Sequence, residues 1–227
     1  MDVKTSEVLS SLGIDPSSCP TGTVKLLDSS EYKHFNEEVF KWSLNIYNRQ
    51  VLAYEIESEH KRGVGLILRN LFSEKSRASH RTVVSVEPPL WHNFTPALPL
   101  VWKLGVVVLV EGPKDARFLH QFGIPTVAYL GSAPSIKHIR SIHRYAKVIL
   151  WIPDNEPLDE SVKRRRNQVI ETSLKLNITL RQIKLPCKDA GELKNHLDYI
   201  PKLKDLVEES SLLVGGGFSE LGDEIST

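Results

Sequence analysis

The second half of the chain contains four continuous apolar runs, at residues 105–110, 126–130, 147–152 and 179–185. Runs without polar alternation are typical of strands that are buried on both faces of a parallel sheet. Segments with helical character separate them, at residues 114–122, 135–145 and 159–175. Ser135 and Gly123 suit the N-cap of one of these helices and the C-cap of another. The alternation predicts an α/β fold with a right-handed parallel sheet flanked by helices.

The first half of the chain has a different pattern. Residues 51–56 and 63–69 alternate apolar and polar side chains around the polar stretch 57–62, which predicts a β-hairpin with antiparallel strands. Apolar spacing from Ser30 favours a helix through Asn45, and the Ser/Thr-rich residues 1–30 allow one short helix at most. We therefore predict a small mixed α/β subdomain over residues 1–104, a parallel-sheet domain over 105–200 and an acidic, flexible tail over 201–227.

Composition is that of an ordinary globular protein. With 227 residues, 41% of them hydrophobic, the chain can form one large domain or two small ones, each with its own core. The apolar runs are far shorter than the roughly 20 residues that span a bilayer, and acids stand where a secretory signal needs a basic region. We expect a cytoplasmic protein without a membrane span. Cys19 and Cys187 have no metal-binding spacing, which excludes a zinc ribbon within this chain and favours free thiols.

Charge is unevenly distributed, although the net charge is only +1. Six basic residues and one acid lie between Lys61 and Arg81, whereas the residues from Asp205 onward include six acids and no base. The basic stretch is either a phosphate-binding surface or a solvated loop. The acidic end is either disordered or a short segment that docks apolar anchors on a partner protein. The basic block at residues 163–166 favours a solvated helix face.

Acidic residues follow two of the predicted parallel strands. Glu111 comes directly after Val110, and Asp154 comes after the run that ends at Ile152. Carboxyl ends of parallel strands meet at one edge of a sheet, and Glu156 shares the face of Asp154 if the chain stays extended. Three carboxylates without a nearby Cys or His suit Mg²⁺, or Mn²⁺ in its place. The alternative is that Glu111 only stabilises the N-terminus of the following helix.

Three ordered motifs lie between residues 107 and 194: VLVEGPKDARFL, GIPTVAYLGSAPSIKHIRSIHRYAKVILWIPDNE and LPCKDAGEL. They resemble, in turn, the strand-Glu-Gly-helix motif, the stretch up to the Asp-x-Asp motif and a third motif of the TOPRIM domain in DnaG-type primases. The third is most similar to helicase-fused phage primases. Upstream, VLAYEIESEHKRGVGLILR and SEKSRASHR resemble the N-terminal subdomain of the primase catalytic core, in which a hairpin precedes basic residues.

The resemblance implies a DNA primase, a nucleotidyltransferase that joins ribonucleotides into short RNA primers on single-stranded DNA with Mg²⁺. It implies that Asp154 and Glu156 hold metal ions, that Glu111 acts as an acid/base or metal ligand, and that Asp189 is a further acid of the metal site. It also implies a set of basic residues that bind the template or the incoming nucleotide: Arg69, Lys75, Arg77, Arg81, Lys114 and Lys188.

The sequence departs from the family pattern at the second motif. Glu156 stands in place of the second aspartate and is longer by one methylene, and Pro157-Leu158 replaces small residues. The chain has no zinc module, which fits a phage-encoded or otherwise minimal primase, and the family implies a replicative helicase as partner. Two alternatives stay open: a TOPRIM nuclease that acts on RNA or DNA, and a non-catalytic nucleic-acid-binding replication accessory protein.

Overall fold

The computed structural model describes residues 3–20, 23–32, 35, 50–58, 63–70, 80–84, 89–155 and 160–215. Two four-stranded sheets organise this part of the chain, an antiparallel one in the first half and a parallel one in the second. The predicted fold class, a parallel α/β sheet preceded by a mixed subdomain with an antiparallel hairpin, is confirmed.

The antiparallel sheet has the order β1-β2-β3-β4. Its central pair is the predicted hairpin, in which Ile56 lies opposite Gly65. The two outer strands were not predicted, and most of the helix expected up to Asn45 lies outside the described residues. The elements are α1 (Val3–Ser11), a 3₁₀ turn (Pro16–Ser18), β1 (Val24–Asp28), α2 (Ser29–Tyr32), β2 (Gln50–Ile56), β3 (Gly65–Asn70) and β4 (His80–Val84).

The parallel sheet has the order β6-β5-β7-β8. Every residue of the two central strands is buried, which is why their sequences are apolar without alternation. Its strands are β5 (Val106–Val110), β6 (Thr126–Ala128), β7 (Val148–Ile152) and β8 (Thr179–Gln182). Its helices are α3 (Phe94–Leu104), α4 (Pro113–His120), α5 (Ile136–Ile142), α6 (Glu160–Lys175) and α7 (Tyr199–Gly215), with a 3₁₀ turn at Ala190–Asn195.

The residues of β5 alternate between two hydrophobic cores. Val108 packs into a core that also contains Leu52 of β2 and Phe118 of α4, so this core extends across both sheets. Leu109 packs on the other side, in a core with Trp91. Because full burial of one such side chain is worth about 1.5–3 kcal/mol, the shared core holds the two sheets firmly against each other.

Residues 91 and 92 join the two sheets through their backbone. Trp91 exchanges two 2.8 Å hydrogen bonds with Glu57, directly after β2, and His92 exchanges two 3.0 Å hydrogen bonds with Ala128 of β6. The His92 ring continues the connection, since its Nε2 accepts from Arg117 Nε at 2.9 Å and its Nδ1 donates to the Glu55 carbonyl at 2.6 Å. The pKa of His92 lies well below its usual value, chiefly because the ring is buried and also because Arg117 is positively charged.

The helix caps of the parallel domain follow the sequence closely. Ser135 is the N-cap of α5, and its hydroxyl accepts a 3.3 Å hydrogen bond from the His138 backbone, as predicted. Gly123 has φ +78 and donates to the His120 carbonyl, although the C-cap residue of α4 is Gln121. Cys19 and Cys187 are free, in agreement with the prediction. Among the described helices, none combines the length and the apolar character that crossing a membrane requires.

The predicted flexible tail is wrong for residues 201–215, which belong to helix α7. Ile200, Leu203 and Val207 are buried in the core that spans both sheets. Their spacing of three and four residues places them on one helix face, and burial of that face stabilises a helix whose exposed side is largely charged. Glycines and acids favour flexibility in this segment, but the apolar periodicity decides its structure. Residues 216–227 lie outside the described part.

Candidate active site

A cavity of about 280 Å³ lies between the antiparallel sheet and the carboxyl-end edge of the parallel sheet. The antiparallel sheet contributes Tyr54, Ile67, Arg69 and Thr82 to its wall. The other wall consists of strand-end and loop residues of the parallel domain, namely Glu111, Gly112, Pro113, Lys114, Asp115, Leu130, Gly131, Asp154 and Asp189. The cavity therefore combines four carboxylates with two basic side chains.

Strand register explains why acids distant in sequence meet in this cavity. Val110 of β5 lies beside Ile152 of β7, so the residues that follow them leave the sheet at the same edge. Glu111 and Asp154 are thus brought together in one wall, as sequence reasoning expected. Asp189, which only the resemblance had implied, joins them from the loop after β8. Glu156, the third acid of the predicted cluster, lies outside the described residues.

Asp189 is fixed from both sides. It is the N-cap of the 3₁₀ turn Ala190–Asn195, and its Oδ1 accepts a 2.9 Å hydrogen bond from the backbone of Glu192. Lys114 Nζ lies 3.3 Å from Asp189 Oδ1 and 3.4 Å from Oδ2. Both side chains are mostly buried, at 15% and 16% exposure, so this ion pair is better protected from water than a surface pair.

Asp115 is a site residue that sequence reasoning missed. It is buried, and its Oδ1 accepts a 2.8 Å hydrogen bond from the backbone of Gly191. The pKa of Asp115 is raised to about 7, chiefly by burial; the charge of Lys114 and the Gly191 hydrogen bond oppose this rise, and the charges of Asp189 and Asp154 add to it. One signal was present in the sequence: Asp115 lies in the first turn of the helix that starts right after Glu111, and this turn faces the same sheet edge.

Of the predicted phosphate-binding residues, the structure places two in the wall of the cavity. Arg69 of β3 and Lys114 of α4 line the cavity. Lys188 is exposed and is not among the lining residues; its backbone N–H donates to Glu192 Oε2 at 3.0 Å. Arg81 pairs with Leu68 through the register of β3 and β4. Lys75 and Arg77 lie outside the described residues.

The basic block at residues 163–166, expected to be a solvated face, is partly engaged. Arg165 donates a 2.9 Å hydrogen bond to Ser132 Oγ, next to the cavity residue Gly131. Arg166 lies over the Trp151 ring, with Cζ 5.4 Å from the ring centroid. Lys163 pairs with Glu160 on the exposed helix surface. The block thus includes one arginine that supports the loop at the cavity rim.

The oxygen-rich wall suits a divalent metal ion in its chemistry. Mg²⁺ commonly uses only one or two protein carboxylates and completes its shell with water and substrate phosphates. Within the residues described, no three Asp, Glu, His or Cys side chains lie close enough together to form a complete ligand cage. The arrangement therefore fits an ion that is shared between Glu111, Asp154 and a phosphorylated substrate better than a closed structural metal site.

No family model matches the sequence, and no curated protein matches it. Solved structures do match the fold. The Aquifex aeolicus primase with its zinc-binding and RNA polymerase domains matches with a TM-score of 0.69 and 20% identity over 92% of this chain, which spans only 56% of that chain. The E. coli primase catalytic core matches with a TM-score of 0.66 and 18% identity, over 95% of this chain and 78% of that one.

A complex with double-stranded DNA is also among the matches. It is the RNA polymerase domain of the Mycobacterium tuberculosis primase DnaG, with a TM-score of 0.64 and 18% identity over 90% of this chain and 73% of that one. The agreement extends over both sheets, since each match covers at least nine tenths of this chain. The chain therefore has the fold of DnaG primase catalytic cores.

Proposed function

We propose that this protein is a DNA primase, which synthesises short RNA primers on single-stranded DNA by metal-dependent nucleotidyl transfer. The observation that carries the proposal is the cavity itself: Glu111, Asp154 and Asp189 meet Arg69 and Lys114 there, on the fold of primase catalytic cores. Carboxylates and bases around one cavity suit a substrate that brings phosphates together with Mg²⁺.

Glu111 and Asp154 are the residues that would hold the ion, with Glu156 as a further oxygen donor. When bound, Mg²⁺ or Mn²⁺ polarises phosphoryl oxygens and stabilises the charge of the leaving group. Arg69 approaches the cavity from β3, on the side opposite to the acids, so its guanidinium can bind a triphosphate or template phosphate with charge-assisted hydrogen bonds. The shared core keeps these two walls in register, which orients the substrate between them.

Further expectations follow from the same proposal. Lys75, Arg77 and Arg81 are expected to bind the template backbone or the triphosphate of the incoming nucleotide, and Lys188, next to Asp189 in the chain, is expected to contact nucleic acid. Residues 1–104 and 105–200 form the two subdomains of the catalytic core. A replicative helicase or another replication protein recruits the enzyme to single-stranded DNA, and the enzyme acts in the cytoplasm, which is that of a bacterial host if a phage encodes it.

Primer synthesis is the direct test. Purified protein is incubated with single-stranded DNA, labelled ribonucleoside triphosphates and Mg²⁺ or Mn²⁺, and products are separated by size. Wild-type protein is expected to make short RNA products, and Asp154→Asn and Glu111→Gln to reduce them at least about 100-fold, the range of a lost electrostatic contact in catalysis. Asp198→Asn removes the same charge at an exposed position and serves as the matched control.

Three outcomes would contradict the proposal or its site. Undiminished synthesis by Asp154→Asn would remove this residue from the site. Degradation of labelled RNA or DNA without synthesis would instead identify a nuclease, and neither reaction in the wild type would leave a nucleic-acid-binding protein without catalysis.

A further inference from the structure

Lys114 occupies an unusual position for a lysine, inside a pocket of carboxylates. Its Nζ lies 3.3 Å from Asp189 Oδ1 and 3.9 Å from Asp115 Oδ1, and its side chain is only 15% exposed. Lysine side chains are seldom buried unless they are paired. The flexible side chain of Lys114 starts in the first turn of α4 and brings its ammonium group close to two acids of the cavity wall, Asp115 and Asp189.

Gly191 provides the space that this side chain fills. A Cβ atom at position 191 would lie 2.6 Å from Lys114 Nζ and closer still to Cε, and also 2.9 Å from Asp115 Oδ1. Any other residue would therefore displace the ammonium or the carboxylate beside it. Gly191 does not have a positive φ, so backbone conformation is not the reason for glycine here. Glycine is needed at position 191 because the side chain of Lys114 occupies the space that a Cβ atom would take.

Charge balance indicates what this arrangement does. Glu111, Asp115, Asp154 and Asp189 line one small cavity, and carboxylates that face the same cavity favour a cation or bound protons between them. An ammonium is a compact cation with three donors, and unlike a bound ion it cannot dissociate. Because Lys114 Nζ lies within 3.4 Å of both carboxylate oxygens of Asp189, it competes with a metal ion for this carboxylate.

The geometry points to Lys114 as a built-in cation that takes the place of one divalent ion on the Asp189 side of the cavity. The protein consequently binds one metal ion fewer than its set of carboxylates would allow, and the pocket stays assembled in the absence of metal. This role rests on the proposed function, because it concerns the same site, but it can be measured without catalysis. It also replaces the expectation that Lys114 mainly binds nucleotide phosphates.

Metal counting tests the role directly. Mn²⁺ binding to wild-type protein and to Lys114→Met is measured by electron paramagnetic resonance of the free ion and by isothermal titration calorimetry. The methionine keeps an unbranched side chain as far as Cε and removes the ammonium group, so the variant is expected to bind one more Mn²⁺ per chain. Lys175→Met removes the same charge from the exposed last turn of α6, at the opposite edge of the sheet, and is expected to bind as the wild type does.

Thermal unfolding in EDTA and in Mg²⁺ gives a second readout. Mg²⁺ should raise the Tm of Lys114→Met by at least about 2–4 °C more than it raises the Tm of wild-type protein, because the variant binds one additional ion. Gly191→Ala reaches the same state by another route, since it displaces the ammonium while the lysine remains. It should behave as Lys114→Met does and keeps the test decisive if the methionine variant does not fold.

Equal Mn²⁺ numbers and equal Tm responses in wild type, Lys114→Met and Gly191→Ala would overturn the role of Lys114. Primer synthesis plays no part in this decision. If wild-type protein makes no primer but Lys114→Met still binds an additional ion, the proposed function fails and the counter-ion role stands. If wild-type protein makes primers but Lys114→Met binds no additional ion, the proposed function stands and the counter-ion role fails.

Discussion

The Oδ1 atom of Asp115 accepts a 2.8 Å hydrogen bond from the backbone N–H of Gly191, 76 positions later in the chain. Both residues are buried, and their hydrogen bond attaches the loop containing Asp189 to the first turn of α4. The pairing lies at the base of the cavity and connects two of the three motifs on which the family resemblance depends.

Substitutions at Asp115 should separate its hydrogen bond from its charge. Asp115→Ala leaves the Gly191 N–H buried without an acceptor, which costs about 1–3 kcal/mol in the free energy of unfolding. Asp115→Asn keeps an acceptor oxygen and removes a charge that burial disfavours, so its loss should be clearly smaller. Urea denaturation at pH 7 measures both, and an equal loss in the two variants would argue against the importance of this bond.

Arg117 should be energetically coupled to Glu57. The guanidinium is buried between the two sheets, and burial lowers its pKa; the carboxylate of Glu57 is one of the nearby groups that oppose this shift. Arg117→Met should cost about 1–3 kcal/mol or more, because His92 Nε2 loses its donor and the Glu57 carboxylate its nearby cation. Glu57→Gln should cost less in the Arg117→Met background than in the wild type. Additive losses in urea denaturation would show that the two charges are independent.

His138 should make the protein less stable in acid. Its pKa is lowered from 6.5 to about 4, chiefly by burial, while its Nδ1 accepts from Ser135 and its Nε2 bonds to the Leu90 carbonyl. The unfolded chain binds a proton below pH 6.5 that the folded state refuses, so stability falls as pH drops from 6.5 towards 4. This shift in pKa amounts to about 3 kcal/mol at most.

The variant His138→Gln tests this pH dependence without removing the helix cap. Glutamine suits the third position of a capping box and does not titrate. Relative to the wild type, the variant should gain stability as pH is lowered from 7 to 4.5, and His92 affects both proteins equally. If the free energies of unfolding of the two proteins changed by the same amount between pH 7 and 4.5, His138 would not contribute to the pH dependence.

Gly105 should tolerate no side chain while Val214 is present. It has φ +65, and a Cβ atom there would lie 2.6 Å from Val214 Cγ1 on the last turn of α7. Gly105→Ala combines a left-handed backbone cost of about 1–2 kcal/mol with overpacking of a similar size. Val214→Ala should remove the overpacking, so that the double variant is more stable than the sum of the single losses predicts. Simple additivity in thermal unfolding would contradict the contact.

The parallel domain was predictable because its sequence is informative locally. The runs at β5 and β7 are apolar on both faces, and only a sheet covered by helices on each side uses such strands. The strand-end rule then places Glu111 and Asp154 together without any structure. Asp115 could not be found in this way, because its burial and its raised pKa depend on a loop 76 residues away.

Other elements were missed for equally physical reasons. Helix α3 contains Pro99 within its length, and proline usually argues against a helix interior. Strand β4 follows a polar, basic stretch and is held by its pairing with β3, a tertiary interaction that strand propensity reflects poorly. In α7, three buried apolar residues outweigh a composition that is typical of disorder. Sequence patterns thus succeed where burial is two-sided and fail where a partner segment supplies the stability.

The backbone bridge through Trp91 and His92 has a mechanical consequence. Four hydrogen bonds of 2.8–3.0 Å tie the end of β2 to β6 at one side of the cavity, and the buried Arg117 reinforces this joint. Hinge opening at this joint would break backbone hydrogen bonds, so we expect the distance between the two cavity walls to change little when a ligand binds. A strand of nucleic acid would therefore have to fit a cavity of fixed width, and only the long side chains that line the cavity could adjust to it.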